Sequence, residues 1–423
     1  MVSAGNGRRV LIIVQNLPVP FDRRVWLEAT SLTKAGYVVS VICPKAKGWT
    51  ASFETREGVD IYRYGLPIET QSTLGFVIEF AWCFVRSFTK SLRIALLGRG
   101  FDVIHACNPP DTFWLLGLYW RLFGKRFLFD HHDLSPEMYA AKFGRVSGPM
   151  YKGLLLLESM TFKCADVVIT TNESHKRIAL ARGGLAPQDV FVVRSGPDID
   201  RFKVYDADAT WKKGKRYLLV YLGEMCKQDG VDHLIRALRI LREDLKRDDV
   251  YAVFVGGGPE QPMIKVYANQ EGIGDICTFT GRVSDDDLCR ILSSADVAID
   301  PDPKTDWSDK STMNKIIEYM FFGLPIVCYA LTEHKVSARD AALFVEANSE
   351  RALAEGVSAL LDDPARRQRM SAYGAQRLRD KLAWQHSVPP LLAAYDRIFT
   401  PTAPQNRRAR TTTPNPAARS TPE

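Results

Sequence analysis

Short β-branched runs alternate with amphipathic helical stretches along nearly the whole chain, and this alternation restricts the fold more than any other feature. Strands separated by helices must cross over before they pair, which yields parallel sheets with helices packed on both faces. In the first half the strand candidates are residues 10–14, 38–43, 103–105, 127–130, 167–170 and 190–193. A helix is expected over about 23–35, capped by Asp22 and stopped by Gly36. The pattern restarts after a Lys-rich stretch, 203–215, with strands at 217–221, 251–255, 278–279, 297–300, 326–328 and 343–345. A chain of 423 residues also exceeds what one core usually organises. The expected fold class is therefore α/β, with two Rossmann-like parallel-sheet domains facing a cleft. The expected divisions are 1–200 and 201–385 for the two domains, 386–399 for a closing helix packing back toward the first domain, and 400–423 for a disordered tail rich in Pro and Arg. Ligands of such sheets bind in crevices at the carboxyl ends of the strands.

Charge is unevenly spread. The net +7 divides into +6 for residues 1–200, −2 for 201–399 and +3 for 400–423. A basic first half beside a near-neutral second half points to an anionic acceptor or surface and away from nucleic acid. The eight cysteines stand singly with no paired spacing, as expected of free thiols in a reduced cytoplasm. The apolar run 10–14 is too short for a signal-peptide core or a membrane span.

Four stretches carry possible chemistry. The turn Val255-Gly256-Gly257-Gly258-Pro259 follows a strand, where small residues let backbone approach a phosphate or sugar; a ligand-free tight turn explains it equally. In residues 311–327 a helix places Lys315 and Glu318 one turn apart after Asn314. A cation near a helix start can neutralise a diphosphate and a carboxylate can accept two sugar hydroxyls, while a surface salt bridge is the plain alternative. Arg23 and Arg24 lie in the first turn of a helix, where cations are disfavoured unless an anion compensates, so they are phosphate candidates or else solvated side chains. Asp130-His131-His132-Asp133 closes a strand as a catalytic or merely hydrogen-bonded loop. Asp300-Pro301-Asp302 reads as a loop exit, and no metal site is expected. Residues 71–99 form an amphipathic helix, with Phe76, Phe80, Trp82, Phe84 and Phe88 on one side and Glu79, Arg86, Lys90 and Arg93 on the other. Such a stripe packs on a core or lies on an anionic membrane.

The ordered series FDVIHA, FDHHDLSPE, ADVVITTNES, VFVVRSGPDIDRF, YLGEMCKQDGVDHLIRAL, VFVGGGPE, FTGRV, ADVAIDP and NKIIEYMFFGLPIV resembles the family 4 nucleotide-sugar glycosyltransferases of GT-B fold. The resemblance covers residues 9 to about 399. It implies a retaining hexosyl- or N-acetylhexosaminyl-type transferase, with a nucleotide sugar as co-substrate, no cofactor and no metal requirement. The implied acceptor is a glycan or a lipid-linked precursor. By position, Glu318 matches the carboxylate that grips the donor ribose, Arg282 and Val283 match the loop reading the base, and His132 matches the basic residue beside the donor sugar. His132, Lys315 and Glu318 are thus the expected catalytic set, with Gly223, Lys227, Gly256, Gly257, Lys310 and Asn314 also around the donor and Arg23, Arg24 and His131 toward acceptor or phosphate.

Departures are specific. Glu224 and Asp229 stand where the family commonly places diphosphate-binding Arg and Lys, so Lys315, or else Lys227, is expected to supply that charge. Lys310 replaces the family's first glutamate, and 16–24 replaces its first-domain Gly-Gly loop. A nucleotide-sugar epimerase of similar architecture, or a non-catalytic sugar-nucleotide-binding descendant, is the alternative.

Overall fold

A computed structural model describes residues 5–67, 73–97, 100–144, 146–197, 199 and 202–400; the tail 401–423 lies outside the described residues. The first half contributes β1 (Arg9–Ile13), β2 (Val38–Pro44), β3 (Phe53–Arg56), β4 (Val59–Tyr64), β5 (Val103–Cys107), β6 (Arg126–His131), β7 (Val167–Thr170) and β8 (Val190–Val192). They form one sheet in the order β3-β4-β2-β1-β5-β6-β7-β8. The second half contributes β9 (Tyr217–Leu222), β10 (Val250–Val255), β11 (Cys277–Gly281), β12 (Val297–Asp300), β13 (Ile326–Tyr329) and β14 (Ala342–Val345), ordered β11-β10-β9-β12-β13-β14. The β3–β4 hairpin is the one antiparallel pair among these ladders. Its residues were not expected as strands, although Glu57 and Gly58, both at positive φ, make the two-residue turn that joins them. Strand order reverses at β1/β5 and at β9/β12, so the crevices above these pairs are the natural ligand sites.

The chain crosses twice between the units, and the two crossings pack on each other. A Cβ on Gly196 would lie 2.1 Å from the Leu382 carbonyl oxygen. Trp384 N–H donates to Pro197 O (3.2 Å), and Ser387 Oγ donates to Arg194 O (2.8 Å). The closing helix Val388–Phe399 then lies on the first sheet, with Leu391, Tyr395 and Ile398 in one core with Val10, Val39 and Val41.

The helix Thr73–Leu96 departs from the expected two-sided pattern. Of its expected apolar face, the side chains of Leu74, Phe76 and Val77 lie outside the described residues. Its buried side is lined by small residues, Cys83, Ser87 and Ser91; Cys83 joins a core with Ile42 and Tyr64 of the sheet, and Ser91 Oγ accepts from Trp120 Nε1. Phe84 and Phe88 flank that contact, whereas Ile78, Trp82 and Val85 are exposed, with the Arg86 guanidinium 5.5 Å over the Trp82 ring. The aromatic stripe therefore divides between core and surface. No described helix is long and apolar enough to cross a membrane.

The contact at Gly196 gives a direct test. Gly196→Ala is expected to destabilise the protein by about 1–3 kcal/mol through overpacking against backbone that cannot yield. An unchanged thermal unfolding midpoint would show that the two crossings separate freely.

Candidate functional site

At the end of β6 successive side chains point to opposite faces. Asp130 points toward the helix Arg23–Lys34, and the second residue of that helix receives it: Arg24 donates from Nε (2.9 Å) and Nη2 (2.7 Å) to the two carboxylate oxygens. Arg24 also reaches Val193 O (2.8 Å), Ser195 Oγ (3.1 Å) and Glu28 (3.1 Å), and its side chain is 8% exposed. Arg24 is therefore not an open phosphate ligand. The anion that offsets the helix dipole is the protein's own Asp130.

His132 returns to the same carboxylate, its Nδ1 3.0 Å from Asp130 Oδ2, while its backbone N–H and that of Asp133 donate to Asn108 Oδ1. Burial alone would lower the His132 pKa, but the attraction and hydrogen bond of Asp130 prevail and raise it to about 9. At neutral pH the ring is an imidazolium, 15% exposed. Asp130 is itself held below the usual carboxylate range: burial opposes ionisation, but Arg24 and His132 outweigh it. Behind them burial pushes Glu28 up to about 8 and His105 down to about 4, and the Tyr395 hydroxyl from the closing helix lies 2.9 Å from His105 Nδ1.

His131 takes the opposite face. It is fully buried, with Nε2 3.2 Å from Glu158 Oε1 and its ring against Phe162. It does not reach the cleft, because strand alternation that presents Asp130 on one face turns its neighbour into the core on the other.

Across the cleft, the glycine turn proves to be a contact between two backbones. Gly256 has φ +121°, and a Cβ there would lie 1.9 Å from Gly223 O; at Gly258 it would lie 2.5 Å from Met225 O. Gly257 meets nothing closer than Arg282 Cγ at 3.8 Å. The helix Asn314–Phe321 carries Lys315 and Glu318 to different ends. Lys315 is 10% exposed and donates to Asp302 (2.8 Å) and Asp300 (3.4 Å), 5.0 Å above the Tyr221 ring. Asp300, which ends β12, and Asp302, in the loop that leaves it, are thus fully buried partners of a lysine. Lys315, expected to be the diphosphate cation, is already neutralised by them.

Glu318 is 12% exposed, and its Oε1 accepts from Arg23 Nη1 at 2.7 Å across the cleft. Arg23, 41% exposed, also reaches Asp285 at 3.3 Å. Together with Ser195, Phe202 and the exposed Asn314 they line a cavity of about 730 Å³. The remaining expected residues lie outside this lining. Arg282 pairs with Glu224 (3.2 Å) and stacks 5.2 Å over Phe21, and Val283 is partly buried on the second core. Lys310 pairs with Asp306. Lys227 is exposed without an ion pair among the described residues, on a turn that touches the helix Ser135–Phe143. Asp229 accepts from Cys226 N and closes that turn.

Two polar bridges were not foreseen. Asn172 caps its helix through His175 N and also donates across the cleft to Lys310 O (2.9 Å) and Thr312 Oγ1 (3.0 Å). Ser174 Oγ donates to Glu333 Oε1 at 2.6 Å. Two buried groups, Glu28/His105/Cys107/Asp130 and Asp300/Asp302/His334, have side chains close enough for a metal ion. In each, a cation of the chain already lies against the carboxylates, Arg24 in the first and Lys315 in the second.

Two Rossmann-like units joined by a double crossing and facing each other through their strand ends define the GT-B architecture. Residues 22–196 match the glycosyl transferase 4-like domain and residues 206–377 match the glycosyl transferases group 1. The chain belongs to this family of glycosyltransferases. It is 26% identical to a D-inositol 3-phosphate glycosyltransferase of Geodermatophilus obscurus, over 73% of this chain and 69% of that one. It is 25% identical to 2-deoxystreptamine glucosyltransferase of Streptomyces kanamyceticus, over 57% of this chain and 63% of that one. Among solved structures, sucrose-phosphate synthase from Thermosynechococcus elongatus superposes with a TM-score of 0.73 at 19% identity, covering 93% and 99% of the two chains. Anabaena Alr3699/HepE, in complex with UDP and glucose, gives 0.69 at 13% identity, covering 92% and 99%.

The charge on His132 is open to measurement. Its ring is expected to titrate near 9 by NMR, and Asp130→Asn to bring it to the ordinary histidine range or below. Because the folded-state value is raised, the imidazolium's contribution to stability is complete below about 6.5 and is lost as pH rises through about 9. Denaturant unfolding across that window should show the loss in the native protein and not in Asp130→Asn.

Proposed function

We propose that this protein is a retaining glycosyltransferase that moves a sugar from a nucleoside diphosphate to an acceptor hydroxyl. One observation carries the reading: Glu318, on the helix Asn314–Phe321 of the second unit, is held across the cleft by Arg23 of the first, the unit in which His132 follows β6. The segments that follow β1 and β7 both bridge to the second unit, through Arg23 at the first position of its helix and the helix cap Asn172, and β6, which His132 follows, lies between those strands. Glu318 would accept the two ribose hydroxyls, with Arg282 and Val283 beside the base. His132, as an imidazolium, would hydrogen-bond the donor sugar and stabilise charge moving onto the leaving diphosphate. The bond from the anomeric carbon to phosphate oxygen breaks, the acceptor oxygen bonds to the same face, and its proton passes to the departing phosphate oxygen. The protein contributes positioning and electrostatics. The UDP seen in Anabaena Alr3699/HepE supports a nucleoside diphosphate donor.

Glu318→Ala is expected to weaken nucleoside diphosphate binding about 100-fold, from two lost hydrogen bonds to a charged acceptor. Equal affinity in calorimetric titration would remove the donor assignment. Donor incubated without acceptor should not be converted to an epimeric nucleotide sugar; if it is, the epimerase reading stands.

For the acceptor we propose a glycan precursor linked to lipid, met at the inner face of a membrane. The outward side of the helix Thr73–Leu96 sets Ile78, Trp82, Val85 and Leu96 beside Arg86 and Arg93, as on helices that lie in an anionic interface. The neighbouring helix Trp114–Arg121 exposes Leu115 and Leu118. Reversing Arg86, Lys90 and Arg93 to glutamate should sharply reduce co-sedimentation with anionic liposomes, and an unchanged bound fraction would remove this surface from the proposal.

A further inference from the structure

Four of the cations around the donor cleft are already committed. Arg24 is clamped on Asp130, Lys315 is buried between Asp300 and Asp302, Lys310 is paired with Asp306, and Arg282 with Glu224. Arg23 differs in kind. It comes from the first unit, and its partners, Glu318 and Asp285, belong to the second. Its guanidinium lies 5.8 Å over the Phe202 ring, inside the cavity that Glu318 and Asn314 also line.

We infer that Arg23 is a two-position clasp: it closes on Glu318 while the cleft holds no donor, and it turns to the diphosphate once the ribose has taken Glu318. The inference rests on the proposed role of Glu318. A ribose and the Arg23 guanidinium compete for one carboxylate, so nucleotide entry requires this contact between the units to open. Opening is inexpensive, since an ion pair with one partner this exposed holds the units together only weakly. The released guanidinium has a better partner close by, because its planar fork matches phosphate oxygens bidentately. The clasp accounts for a donor pocket with Glu224 and Asp229 at its usual cation positions: the missing charge arrives from the opposite unit. Donor binding and contact between the units are then linked through one side chain.

The clasp acts in opposite directions on the two halves of the ligand. Removing Arg23 frees Glu318 and should strengthen binding of a nucleoside, by at most about fivefold for a contact of this size. The same change removes a phosphate partner and should weaken the nucleoside diphosphate at least about tenfold. A structural role for Arg23 would move both ligands the same way.

The test is calorimetric titration of the full chain with uridine and UDP, and with guanosine and GDP, for the native protein, Arg23→Ala, Arg23→Lys, Lys227→Ala and Glu318→Ala. In Arg23→Ala the pair bound by the native protein should split, with tighter nucleoside and weaker diphosphate. Arg23→Lys should recover part of the diphosphate affinity, and Lys227→Ala should leave the ratio unchanged. If Arg23→Ala shifts both ligands in one direction or neither, or if Lys227→Ala reproduces the split, the clasp is overturned. If the native protein binds neither pair, or Glu318→Ala leaves nucleoside affinity unchanged, the ribose assignment fails instead.

Discussion

A carboxylate shut off from water, Asp130, is the point around which the first half of the cleft is built. Burying such a charge is opposed by several kcal/mol unless nearby groups restore what solvent provided. Arg24 does so with two parallel hydrogen bonds and His132 with a third. Because Arg24 lies in the first turn of the helix Arg23–Lys34 and also holds Val193 O and Ser195 Oγ, one ion pair joins the helix start, the end of β6 and the first crossing between units. Asp130 also keeps His132 protonated, against the opposing charge of Arg24. Arg23, a turn of about 100° away on the helix, is thereby directed elsewhere, toward the second unit.

The second unit uses the same device with a lysine. Lys315 lies between Asp300 and Asp302, and the pair of carboxylates responds as close like charges do: Asp302 is raised and Asp300 lowered. Burial acts against the charged form of both, and Lys315 stabilises Asp300 while repulsion from Asp300 adds to the rise at Asp302. With Lys315 so occupied, Glu318 takes its cation from across the cleft. The facing edges of the two units thus each hold a buried cation and carboxylate knot, with an exchangeable pair, Arg23 and Glu318, between them.

Much of the architecture was legible in the chain. Parallel strands buried on both faces read as short apolar runs, so β7 and β12 were expected with their observed limits and most others within a residue or two. Asp22 accepts from Val25 N as its position before the helix implied. The β3–β4 hairpin escaped because an edge pair alternates polar and apolar residues and its turn, Glu57-Gly58, is a weak signal beside Asn-Gly. The helix Thr73–Leu96 misled for a different reason: its aromatic residues suggested one apolar face, but its buried side is lined by Cys83, Ser87 and Ser91.

The sequence by itself determined the two-domain α/β order, the family and the places of most strands. These follow from periodicity, caps and motifs, which are local properties of the chain. Tertiary structure decided which charges meet. Arg24 finds Asp130 at a separation of 106 residues and Arg23 finds Glu318 at 295, and no local pattern distinguishes the two arginines. Electrostatic partners depend on distance in space and on burial, and both exist only after the sheets have formed and faced each other.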